Sequence, residues 1–178
     1  MSPFAGPLFA AAALLLIAGA NKLRHPAATR VALRTAGLPS RTVIVRSIGG
    51  AEVLIAVAAI AVGGRVPAAL VTAAYLGFTA FSLRLYRSSR GLAPCGCFGA
   101  TDAPVGPIHI GVDLAVALVV AGAIVTPSSG LLSAISDTPW FGVPFFGLTY
   151  LLVGGLQASL TVLPTTLAAT KSPAGAPA

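Results

Sequence analysis

The eighteen residues from 3 to 20, PFAGPLFAAAALLLIAGA, contain no charged side chain. A helix of about 20 apolar residues crosses the roughly 30 Å hydrocarbon core of a bilayer. Backbone polar groups find no water there, so a run of this kind is stable only as a helix or as part of a closed barrel. Similar stretches recur at 47–62, 68–85, 108–125 and 141–163. The expected fold is all-α: a polytopic transmembrane helix bundle with five spans. Only 8% of residues are charged and 56% are hydrophobic, whereas soluble domains carry about a quarter charged residues. One integral membrane domain is expected over residues 1–168, followed by a disordered tail at 169–178 that is rich in small residues and Pro. AGA before Asn21 resembles a signal-peptide cleavage site, but no Lys or Arg precedes the apolar run. The first span is therefore expected to stay in place.

The formal net charge is +7, with six of the eleven Lys/Arg between residues 22 and 46 and three more between 84 and 90. Clusters beside membrane spans are topology signals and contacts for anionic lipid, so the partner they imply is the lipid bilayer and not nucleic acid. Within the basic connector, Arg30 and Arg34 stand four residues apart among Val31, Leu33 and Leu38, which predicts a short amphipathic helix in the interface, ended by GLP at 37–39. Trp140 is placed as an interfacial anchor. With five spans, the face holding loops 21–46 and 84–107 and the tail carries ten of the eleven Lys/Arg; the other face carries only Arg65. The positive-inside rule puts the first face in the cytoplasm.

Both cysteines of the chain lie in the second basic loop, as Cys95-Gly96-Cys97 within LAPCGCFGA. Three readings are open: small buried hydrophobes, soft-metal ligands, or a disulfide. A loop flanked by Pro94 and Gly99 suits burial poorly, and a structural zinc site needs four ligands. A bond between cysteines two apart closes a small, constrained ring, for which Gly96 supplies backbone freedom. Such a bond is easily reduced, so it marks exchange and not structure. Arg84, Arg87 and Arg90 before the pair, and His109 after it, could favour a thiolate. Asp113 lies one helical turn beyond His109 and could orient its imidazole; the alternative is that Asp113 bonds a neighbouring span.

Two other polar residues stand out inside spans. Glu52 needs a partner in the bundle interior; Lys22 is the first candidate, with Arg24 and Arg46 as rivals, and either a packing ion pair or a role in proton or substrate handling follows. Gln157 suits an interhelical hydrogen bond.

NKLRHP after the first span, an acidic residue in the second, PCGCFG after the third and a His opening the fourth resemble the MauE family over residues 8–125. These are methylamine-utilisation membrane proteins related to DoxX-like four-helix membrane proteins. The resemblance singles out Lys22, Glu52, Cys95, Cys97, Gly99 and His109, with Asp113 in support. It implies a four-helix core plus a fifth helix, a bacterial inner or plasma membrane location, and thiol–disulfide exchange with a thioredoxin-like protein. The client would be a disulfide-containing protein such as the small subunit of methylamine dehydrogenase. An exported client puts the cysteines on the outer face, against the Lys/Arg count. No metal or other cofactor is expected, and nothing in the residues speaks to a quinone. The competing functions are a transporter or soft-metal-handling protein using the cysteines and Glu52, and a non-catalytic scaffold for a redox partner.

Overall fold

A computed structural model describes residues 2–94, 96, 104–131, 133, 147 and 151. Its helices are α1 (Ala5–Arg24), α2 (Pro26–Thr35), α3 (Thr42–Ala61), α4 (Arg65–Ser89) and α5 (Pro107–Val125). The four helices α1, α3, α4 and α5 are long and apolar enough to cross a membrane. The protein is thus an all-helical, multi-pass membrane bundle. The expected fifth span at 141–163, with Trp140, Gln157 and the tail, falls outside the continuous described segments.

Local chemistry explains the breaks. Pro26 is the first residue of α2; proline disfavours helical angles in the residue before it, and His25 sits at φ −128°, ψ 67°. The chain therefore turns sharply out of α1 into α2. The GLP stretch ends α2 in a Schellman motif: Leu38 N–H donates to Leu33 O at 2.8 Å and Gly37 N–H to Arg34 O at 3.0 Å. The interfacial helix thus forms, although its inward face is Thr29, Ala32 and Leu33, while Val31 points outward.

α3 starts at Thr42, five residues before the expected start of its span, and α4 runs on to Ser89. The basic residues Arg46, Arg84 and Arg87 are helical and exposed. Hydropathy marks where apolar sequence ends, but the helix continues while its backbone bonds are satisfied, carrying arginines into the interface.

α1 packs closely along α3 and α4 along α5; α3 and α4 meet over a shorter length. The main core joins Leu8, Ala12, Leu15, Ala56, Ala59, Val71, Tyr75 and Val120. Small residues predominate because lipid-embedded helices associate by close packing, not by escape from water. Tyr75 O–H donates to Ala11 O at 3.0 Å. A second cluster of Ala32, Ala36, Leu85, Ala93 and Val105 lies under α2. There Arg84 Nε donates to Ala36 O at 2.6 Å, tying α4 to the end of α2. Exposed Leu54, Val57, Leu70, Leu76, Leu118 and Val119 form the bundle's apolar outside.

Candidate functional site

The site begins with two glycines. A Cβ placed on Gly19 would lie 2.7 Å from Gly49 O and 2.9 Å from Glu52 Cβ; one on Gly49 would lie 2.8 Å from Gly19 O and 3.0 Å from Lys22 Cβ. No side chain fits there, so α1 and α3 touch backbone to backbone. The crossed contacts, Gly19 with Glu52 and Gly49 with Lys22, show that the helices run antiparallel. Side chains lean toward the N-terminus of their own helix, so in this arrangement Lys22 and Glu52 lean toward each other. Lys22 Nζ donates to Glu52 Oε2 at 2.9 Å, and both side chains are only 5% exposed. Of the three candidate cations, Lys22 and Arg24 of α1 and Arg46 of α3, Lys22 is the one that pairs with Glu52.

The pair is incompletely satisfied. Glu52 Oε1 is buried with no hydrogen-bond partner among the described residues. The Lys22 ammonium also stands 5.1 Å from the centroid of the Phe78 ring, within cation–π range. Phe78 is held edge-on by Tyr75 at 5.6 Å between centroids.

Lys22, Glu52 and Phe78 line a cavity of about 400 Å³. Leu33 and Leu38, brought together by the Schellman turn, close it on one side; Ile48, Ala51 and Ile55 of α3 and Ala74, Gly77 and Phe81 of α4 form its walls. Ile48, Ala51 and Gly77 are exposed, so the cavity opens sideways between α3 and α4.

Gly96 lines the same cavity. It is buried, with φ +72°, and a Cβ there would lie 3.0 Å from Ala32 Cβ and 3.1 Å from Ala28 O. Left-handed backbone in contact with a helix leaves room only for glycine. Thr29 O–H donates to Gly96 O at 2.6 Å, and Val105 N–H donates to Ala93 O at 2.9 Å across the stems of the loop. The residue between the two cysteines is therefore seated on α2, at the cavity holding the ion pair.

Of the residues singled out in the sequence, the structure unites Lys22, Glu52 and Gly96. Cys95, Cys97 and Gly99 lie outside the described residues. His109 is half-buried in the first turn of α5 and does not line the cavity. Asp113, also half-buried, accepts a 3.4 Å hydrogen bond from Ser82 O–H of α4, the neighbouring-span alternative and not an imidazole contact. Sequence reasoning overlooked Gly19, Gly49, Thr29 and Phe78. A signal existed for the glycines: each precedes its charged residue by three positions, as G-x-x-K and G-x-x-E, one turn away on the same helical face.

Residues 4–127 match the family described as Methylamine utilisation protein MauE. The match spans more than half of the chain, and the chain belongs to that family. No curated protein and no solved structure matches it significantly.

Proposed function

We propose that this member of the MauE family carries out thiol–disulfide exchange through Cys95 and Cys97, with a thioredoxin-like protein as partner. In this reading one cysteine, as thiolate, attacks the partner's disulfide; a mixed disulfide forms and the partner's other sulfur leaves as thiolate. The second cysteine then attacks the mixed disulfide, releasing the partner as a dithiol and leaving Cys95 and Cys97 joined. Run backward, the same steps oxidise a partner, so the reaction serves maturation of a disulfide-containing client.

The observation that carries this reading is the seating of Gly96. A left-handed residue clamped between two cysteines favours a short, constrained ring over two independent thiols, and such rings exchange readily. The surrounding charge helps: nine of the eleven Lys/Arg belong to the α1–α3 and α4–α5 ends that meet around the loop, and cations favour thiolate. The same count supports a cytoplasmic face for the pair.

Cys95→Ser and Cys97→Ser variants, produced in cells and acid-quenched, are expected to trap mixed disulfides with a thioredoxin-like protein, one more strongly than the other. Absence of any adduct, with tight copper or zinc binding by the purified protein, would favour soft-metal handling instead. Labelling with a membrane-impermeant maleimide is expected to reach the thiols in inverted vesicles and not in intact cells. The opposite pattern moves the pair to the outer face.

A further inference from the structure

The cavity between α3 and α4 is apolar where it is open. It opens through the side of the bundle, at Ile48, Ala51 and Gly77, between two helices long and apolar enough to cross a membrane. The two charged residues on its wall, Lys22 and Glu52, are bonded to each other and each only 5% exposed. What the space meets is therefore aliphatic and aromatic carbon. Apolar cavities stay dry, and this one faces the hydrocarbon of the bilayer, so a hydrocarbon chain is what fits it. The volume of about 400 Å³ suits a single chain. The walls run two helical turns, from Ile48 to Ile55 and from Phe81 back to Ala74. That is about 10 Å of the roughly 15 Å depth of one leaflet.

A second feature lies at the interfacial end of that space. Leu38, which closes the cavity, belongs to the turn between α2 and α3, and arginines gather on this turn. Arg30 Nε donates to Ser40 O at 2.9 Å, Arg84 Nε donates to Ala36 O at 2.6 Å, and Arg41 is the exposed N-cap of α3. Arg84 stands one helical turn beyond Phe81 of the cavity wall, on the same face of α4. Among the described residues the one ion pair is Lys22–Glu52, so none of these three guanidinium groups meets a carboxylate. Arg30 and Arg84 each spend Nε on a backbone carbonyl, which anchors the side chain and keeps its terminal N–H groups for a planar fork suited to phosphate.

We propose that this cavity and this turn form one binding site for an anionic phospholipid. One acyl chain enters between α3 and α4 and lies along Ile48, Ile55, Phe78 and Phe81, and the phosphate rests on Arg30, Arg41 and Arg84. Neither half selects the ligand alone, since any lipid offers a chain and any phosphate offers the anion. Their placement one helical turn apart along α4 fits a molecule in which the two are joined. A zwitterionic headgroup brings its own cation, which the arginine cluster repels. Because Gly96 and Thr29 line the same cavity, the chain also packs against the seat of the residue between the cysteines. The site stands without the exchange chemistry, because no bond is made or broken in it.

Native mass spectrometry of the full chain, released from detergent micelles, reads the site directly. One dioleoylphosphatidylglycerol per chain is expected to bind saturably. Dioleoylphosphatidylcholine, which has the same chains, is expected to bind about tenfold more weakly or worse. Gly77→Phe and Ala51→Phe fill the mouth from α4 and from α3. A Cβ at Gly77 meets nothing within 4 Å and Ala51 is exposed, so the fold tolerates both rings, which an unchanged helical circular dichroism spectrum checks. Each is expected to abolish the saturable phosphatidylglycerol binding. Arg41→Gln removes a charge that pairs with no carboxylate among the described residues; it is expected to weaken phosphatidylglycerol about fivefold and to leave phosphatidylcholine unchanged. Equal retention of the two lipids overturns the proposal, since that is ordinary surrounding lipid. A preference for phosphatidylglycerol that survives both mouth variants overturns it too, since that is charge attraction at the surface alone. Glycerol 3-phosphate carries the phosphate without a chain; if it displaces the lipid at equal concentration, the site is one for free phosphate and the proposal falls. None of these readouts depends on Cys95 or Cys97, so failure of mixed-disulfide trapping leaves them unaffected.

Discussion

Glu52 and Asp113 are carboxylates of the same chemical class, each inside an apolar membrane helix, yet their surroundings differ. Glu52 is 4% exposed, bonded at 2.9 Å to an ammonium, and lines a cavity, and its second oxygen is buried with no hydrogen-bond partner among the described residues. Asp113 is half-buried and has a hydroxyl at 3.4 Å, the long end of hydrogen bonding. Helix contact makes the difference. At the α1–α3 seam two glycines remove all intervening side chains, so a charged residue on each helix is driven against the other. Among the described residues Asp113 forms no ion pair, and it accepts its hydrogen bond from Ser82. A carboxylate within a span is thus a uniform signal in sequence but becomes an ion-pair site only where backbones approach closely enough to bring its counter-charge.

The comparison breaks most severely at Lys22. Lys22→Met leaves Glu52 buried and unpaired, and removing one member of a buried pair costs about 3–5 kcal/mol. Equilibrium unfolding in mixed micelles measures the loss. The double variant Lys22→Met/Glu52→Leu is expected to recover most of it, because no charge is stranded. A double variant as unstable as the single one shows that the pair contributes more than mutual neutralisation.

A smaller effect is expected from the glycines. Gly49→Ala introduces a Cβ 2.8 Å from the Gly19 carbonyl oxygen; the helices must separate, at about 1–3 kcal/mol. In a Lys22→Met/Glu52→Leu background the steric part of this cost remains and the part due to stretching the ion pair disappears. Equal costs in both backgrounds would show that the glycines do not set the Lys22–Glu52 distance.

Thr29→Val tests the attachment of the cysteine loop to α2. Loss of the 2.6 Å bond to Gly96 is expected to cost about 1 kcal/mol and to raise the rate of amide hydrogen exchange around residue 96. Ser82→Ala sits at the bottom of the scale. Its long bond to Asp113 is expected to contribute less than about 1 kcal/mol. An effect as large as that of Lys22→Met would mean that the two carboxylates are not different after all.

Much of this architecture is legible before folding is considered. Spans, the interfacial helix and its GLP stop follow from apolar run length and turn chemistry, because both are local. Lys22 as the partner of Glu52 was also within reach, since intramembrane charge demands neutralisation and few cations were near. His109 and Asp113 were less legible: their helical spacing is real, but a shared helix face does not decide which neighbouring span a side chain meets, and Ser82 lies 31 positions away from Asp113.

Chain chemistry alone therefore determined that this is a helical membrane protein, that a carboxylate and an ammonium would be buried in it, and that its only thiols flank a glycine just after a cluster of arginines. Those conclusions rest on solvent exclusion and backbone bonding, which act on short segments. Tertiary structure decided that the glycine seats on α2 beside the ion pair, and that α3 and α4 stay far enough apart to leave a side-opening cavity. Both depend on contacts between segments distant in sequence, where a missing Cβ on one helix sets how near another can come.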